Sequence, residues 1–388
     1  MPDSHAKGLA MNSRQRVLSA FQRRGYDRIP VKHEGTPEVN QMLLEHFGLS
    51  NLEQLLSVVG DDFRYVEPAY CGPELKTFPD GSIEGYFGER YRYAQFEAGR
   101  YLEACYLPYA GIDRREDLDR SHFPTADWFD YSTVRRQAEV LHERGMTVCV
   151  GTAGDMDFIN GIARARGMEQ VLMDLVDDNP VYLAIMQARF EFFYEVQRRT
   201  LEAAGGLVDF AHAGDDFGNQ RGPMISPAVF ERHFAPKYNR YFDMVHSHGA
   251  RTMLHMCGCV ERFLPRLIEL GLDVYDVVQP TTRSMDIAVL RERFGDRLCF
   301  CGSMCVQTAL AWGTPQDVER EVRRRLELFP RGGLFLGPTH AVQVGSPLEN
   351  ILAMYRTAGS LAEKIDDSIR SLGAGEDKTG KINLAKLF

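Results

Sequence analysis

No apolar run in these 388 residues approaches the roughly 18 needed to cross a bilayer, so a spanning helix is not expected. The first residues carry no apolar stretch of the signal-peptide kind, which argues against export. Basic clusters are missing too. Lys and Arg number 45 against 54 Asp and Glu, dispersed along the chain, for a net charge of −9. That balance speaks against nucleic acid and against an anionic membrane surface as partners. No Gly-x-Gly-x-x-Gly turn follows a strand-like run and no Walker loop occurs, which disfavours an open doubly wound sheet. Evenly spaced disulfide cysteines are absent as well. The eight cysteines are Cys71, Cys105, Cys149, Cys257, Cys259, Cys299, Cys301 and Cys305, five of them crowded between 257 and 305. Reduced thiols in a cytoplasm are the expectation.

What is present is an ordinary globular balance, 44% hydrophobic and 26% charged, enough to bury a large core. Residues 1–10 read as a disordered leader, 11–365 as one domain, and 366–388 as a tail. Eight strands are predicted: Ile29–His33, Phe63–Val66, Val148–Gly151, Val208–Ala213, Thr252–His255, Val274–Val278, Leu298–Gly302 and Leu334–Gly337. Most are followed by a helical pattern. That alternation predicts an α/β chain folded as a (β/α)8 TIM barrel with an N-terminal helical extension. Residues 68–128, rich in Tyr, Gly and Pro, read as a small antiparallel insertion covering one end. Its rings, Tyr86, Phe87 and Tyr91 among them, either line a pocket or make the core of a small sheet.

The chemistry gathers around Ala250-Arg-Thr-Met-Leu-His-Met-Cys-Gly258. On a strand, side chains alternate with period two, so His255 and Cys257 project from one face. An imidazole beside a thiol offers two ligands to a borderline-soft cation such as zinc. In a barrel the C-terminal strand ends face one pocket. Collected there are His33, Asp215, Asp216, His255, Cys257, Gln279, Cys301, Cys305 and His340. A catalytic zinc keeps three protein ligands and one open position. His340 is the preferred third ligand, with Cys301 and Cys305 as alternatives. Asp215 and Asp216 are the candidate acid–base pair, one expected to be functional and the other structural. His33, Gln220, Gln279, Gln343 and Tyr70 are the candidates for contacts to a substrate.

These pieces carry a resemblance. Arg28-Ile-Pro-Val31, Gly214-Asp-Asp-Phe-Gly-Asn-Gln-Arg-Gly222, Ser226-Pro227, His255-Met-Cys-Gly258, Gln279-Pro280 and Pro347-Leu-Glu-Asn-Ile351 span nearly the whole chain. The chain resembles the uroporphyrinogen decarboxylase-like superfamily, and within it the corrinoid-dependent methyltransferases and O-demethylases. The resemblance implies a TIM barrel. The decarboxylases carry an arginine-rich segment after the first strand that holds substrate carboxylates. Here that stretch is Lys32-His-Glu-Gly-Thr-Pro-Glu-Val39, without arginine, so the bidentate clamps are missing. In the methyltransferase branch a His-x-Cys pair binds zinc with a third ligand, often cysteine, near the last strand; here Pro338-Thr-His340 puts a histidine there. The resemblance implies zinc-dependent transfer of a methyl group between a small O-, N- or S-methyl compound and a corrinoid held by a partner protein docking at the barrel mouth. A homodimer stays open. The alternatives are a metal-free decarboxylase, with Arg221 and Arg283 near the mouth, and a non-catalytic ligand-binding barrel.

Overall fold

Alternating strands and helices build an α/β fold of the TIM-barrel type. It is seen in a computed structural model that describes residues 10–96, 99–121 and 123–373. The main sheet has seven strands among the described residues. They are β1 (Phe63–Tyr65), β2 (Thr147–Met156), β3 (Phe210–Gly214), β4 (Arg251–His255), β5 (Val274–Val278), β6 (Cys299–Met304) and β7 (Leu334–Pro338). The described chain divides into two compact units. One comprises the residues through Arg64, Val140–Val148 and the stretch from Ile287 on; the other comprises Tyr65–Glu139 and Cys149–Asp286.

In the first unit β6 and β7 pair in parallel, with Cys301 opposite Phe335. The strand expected over Ile29–His33 reduces to an isolated parallel bridge from Val31 to Leu336. The reason is local. The Val31 N–H donates to Asp62 Oδ2 and the His33 N–H to Asp61 Oδ2, both at 2.8 Å, so two carboxylates take the donors that a neighbouring strand would use. Pro30 contributes no donor at all. Asp62 is fully buried and also receives Arg16 Nη1 at 2.7 Å and Arg28 Nη1 at 2.8 Å. The helices Pro37–Phe47 and Leu52–Val59 both end on left-handed glycines, Gly48 and Gly60. The stretch expected to open a tail instead forms the short helix Asp367–Arg370. Gln54 and Asn51 hold it by donating to the carbonyls of Arg370 and Leu372. The rest of that tail and the leader through residue 9 lie outside the described residues.

In the second unit β2, β3, β4 and β5 pair in parallel in chain order, with Gly214 opposite His255 and His255 opposite Asp276. β2 does not end at Gly151, where the predicted strand stopped; it continues irregularly to Met156. Ser226 caps the next helix through its side chain and Pro227 opens it. The helix then widens into a π-turn over Phe230–Phe234 before resuming at Ala235–Ser247. Phe217 fills that turn, its ring 5.4 Å from Phe230 and 5.3 Å from Phe234. The insertion is antiparallel: Ile83–Glu84, Arg90–Phe96 and Gly99–Tyr106 form one sheet, and Ala69–Tyr70 pairs with Phe129–Asp130.

Candidate metal centre

β4 opens with Arg251 and Thr252 and runs through the apolar Met253 and Leu254 to His255. Thr252, Met253 and Leu254 are buried, and His255 follows, buried with its imidazole against Cys257. The chain turns immediately at Gly258, whose φ of +80° admits glycine most readily. A Cβ there would lie 2.5 Å from the Gly218 carbonyl carbon, so two loops touch backbone to backbone. This brings His255 Nε2 and Cys257 Sγ to 3.3 Å. Asp216, two residues past the end of β3, accepts the Cys257 N–H at 2.7 Å on Oδ1 and the Asn160 amide at 2.8 Å on Oδ2. The ligand atoms of Asp216, His255 and Cys257 lie within 4.8 Å of one another.

Behind the pair sits a buried network. Asp276 Oδ2 lies 2.9 Å from His255 Nδ1 and 3.1 Å from His212 Nε2. His212, His255 and Asp276 make a second group of ligand atoms within 4.8 Å. Burial pulls the His255 pKa down, but the Cys257 sulfur and the Asp276 carboxylate hold it well above the ordinary imidazole value. Burial pushes the Cys257 thiol up, with His255 opposing.

Asp215 has a different occupation from its neighbour. It is fully buried, accepts the Ile159 N–H and the Tyr238 hydroxyl at 3.2 Å each, and so ties the β2 and β3 loops to the helix Ala235–Ser247. Burial raises its pKa far above the carboxylate range. Gln279 is buried and accepts the Gly258 N–H at 2.9 Å, supporting the Cys257 turn. Gln220 is exposed on the loop that Asn219 caps through Arg221 N–H. Tyr70 donates to the Pro73 carbonyl and stacks on Tyr86, with centroids 5.6 Å apart. The remaining candidates belong to the first unit. His33 is buried with both ring nitrogens engaged, by the Tyr355 hydroxyl at 2.5 Å and Asn40 Oδ1 at 2.9 Å. His340 Nδ1 lies 3.5 Å from Gln343 Nε2, which also donates to the Ala341 carbonyl. Cys301 and Cys305 are buried thiols of the same unit.

Several residues of this centre escaped the sequence reading: His212 and Asp276 in mid-strand, and Asn160, Asp155 and Asp157 around the end of β2. Asp157 accepts from Arg164 and from the Asn160 N–H. For His212 and Asp276 the signal was an ionisable residue inside an otherwise apolar strand, as in Val274-Tyr-Asp-Val-Val278. A cavity in the same unit is lined by Tyr86, Phe87 and Tyr91 of the insertion together with Asp155, Arg189 and Phe193. Three of the insertion rings thus face a cavity.

Among known proteins, the profile of the uroporphyrinogen decarboxylase (URO-D) family matches residues 134–361. No curated protein matches the chain. A solved methyltransferase from Methanosarcina mazei is similar in fold, with a TM-score of 0.61 at 15% identity, covering 90% of this chain and 98% of that one. A B12-independent methionine synthase from Shewanella sp. W3-18-1 aligns at 11% identity with a TM-score of 0.37, over 83% of this chain and 85% of that one. No helix among the described residues is long and apolar enough to cross a membrane.

Proposed function

We propose that this chain, which belongs to the uroporphyrinogen decarboxylase family, is a zinc-dependent methyltransferase that moves a methyl group between a small O-, N- or S-methyl compound and a corrinoid carried by a partner protein. The observation that carries the reading is the 3.3 Å approach of His255 Nε2 to Cys257 Sγ at a strand end. Tetrahedral zinc, with bonds of about 2.0 Å to nitrogen and 2.3 Å to sulfur, sets such a pair about 3.5 Å apart, so donor type and spacing both fit. The methyltransferase reaction is in keeping with the Methanosarcina mazei protein that shares the fold. Residues 32–39 hold no arginine to clamp a polycarboxylate, which disfavours porphyrinogen as substrate.

In this reading His255 and Cys257 hold the metal. His340 is the expected third donor, and Asp216 is the carboxylate grouped with the first two. When bound, zinc supplies Lewis acidity toward the heteroatom that gains or loses the methyl. Asp216 fixes the loop bearing the sulfur through the Cys257 N–H, and its Oδ2 is assigned to hold or release the heteroatom's proton. Gln279 keeps the turn closed from the other side.

Metal analysis of the purified protein is the direct test. The wild type is expected to carry about one zinc per chain, and the double variant His255→Ala, Cys257→Ala none, with methyl transfer to a corrinoid acceptor lost. His340→Ala and Asp216→Asn, measured alongside, tell the third donor apart. Full methyl transfer by the metal-free double variant would end the reading.

A further inference from the structure

We infer that Tyr65, His212 and Asp276 form a positioning chain that holds the His255 imidazole in the one tautomer able to present Nε2 to a metal. The inference rests on the zinc reading above and adds three residues to it. The register makes the arrangement possible. β3, β4 and β5 are neighbours, His255 stands opposite Asp276, and His212 lies on β3 opposite Met253 of β4. From there Asp276 Oδ2 meets both imidazoles, His255 Nδ1 at 2.9 Å and His212 Nε2 at 3.1 Å.

A carboxylate only accepts, so each of those ring nitrogens carries the proton of its bond. His255 therefore donates from Nδ1, and its Nε2, facing the Cys257 sulfur, is left to bind a cation. His212 donates from Nε2, which makes its Nδ1 an acceptor. The Tyr65 hydroxyl, 3.3 Å away, completes the chain by donating to it. Every donor and acceptor role is consistent from Tyr65 to Cys257. Burial grades along it, from Tyr65 at 37% exposed to Asp276 at 1%.

A core without such a task would not need this arrangement. Apolar residues of similar volume often replace buried ionic pairs at no loss of stability. A carboxylate backing a ligand imidazole orients the ring and raises its basicity, and removing it weakens metal binding about 10- to 100-fold. His212 steadies the same oxygen and Tyr65 steadies His212, so their effects on affinity fall off in that order.

The test is zinc titration against a chromophoric chelator, with melting temperatures recorded to show that each protein is folded. Asp276→Asn is expected to bind zinc about 10- to 100-fold more weakly than wild type. His212→Gln should lose less and Tyr65→Phe least, all at unchanged stoichiometry. In the cobalt(II)-substituted proteins the thiolate band stays while the ligand-field bands shift. Unchanged affinity in folded Asp276→Asn would overturn the inference. So would loss of metal in His212→Gln as complete as in His255→Ala, which would make His212 a ligand. If Asp276→Asn does not fold, unchanged affinity in both other variants overturns it equally. A wild type that binds no zinc removes the functional reading as well, whereas zinc-binding wild type with unaffected variants removes only the positioning chain.

Discussion

Asp155 and Asp27 show how differently one side chain behaves under burial and under pairing. Asp155 is buried at the end of β2, where loss of water pushes its pKa up to about 6 against hydrogen bonds from Gln197 and Thr152. Asp27 lies nearer solvent, where burial pushes up more weakly and Arg16 takes it down to about 2. The two contribute to pH dependence with opposite signs. For Asp155 the folded pKa is raised, so its contribution is fully present below pH 4 and is lost as pH rises toward 6. Asp155→Asn keeps an acceptor for Gln197 and a donor for Thr152 while removing the charge. The melting temperature of this variant relative to wild type should therefore climb between pH 4 and 6 and then level off. A pH-independent difference would show that Asp155 ionises in the fold as it does unfolded. His255 and Cys257 were legible at this scale because period two puts them on one face. His212 and Asp276 were not, because a polar residue in mid-strand reads the same whether it faces a site or only satisfies a neighbour.

At the scale of elements, the missing first strand is the informative departure. Asp62 takes the Val31 amide and Asp61 the His33 amide that strand pairing would have used, so a bridge stands where eight-fold alternation predicted a strand. Asp62 also anchors the N-terminal helix Ser13–Phe21 through Arg16, itself buried. Removing one partner of a buried, hydrogen-bonded ion cluster leaves the others uncompensated, at about 3–5 kcal/mol. Asp62→Ala is expected to lose stability of that order in denaturant unfolding, and Asp62→Asn distinctly less. A loss within experimental error for Asp62→Ala would show that Arg16 and Arg28 find water instead. The helix caps, by contrast, depend only on adjacent residues: Asn179-Pro180, Ser226-Pro227 and Thr314-Pro315 all open helices as their side-chain chemistry requires.

For the whole molecule, a bound metal counts as folding free energy, because a cation that binds only the native chain stabilises it by mass action. At a free zinc concentration 100 times Kd that amounts to about 2.7 kcal/mol. Chelation should therefore lower the melting temperature of the wild type by a few degrees and leave that of the double variant His255→Ala, Cys257→Ala unmoved. Equal shifts in both proteins would place the stabilising metal elsewhere.

The residue order alone determined the barrel class, the helix caps and the His-x-Cys pair, since each rests on periodicity or on neighbours within a few positions. The tertiary structure alone decided that Asp276 backs His255, that Asp216 holds the Cys257 amide while Asp215 is sealed beneath Tyr238, and that two carboxylates stand in for a strand. Those pairings join residues 21 to 41 positions apart or link separate strands. What selects them is register and the cost of burying an unpartnered charge, neither of which leaves a local mark in the chain.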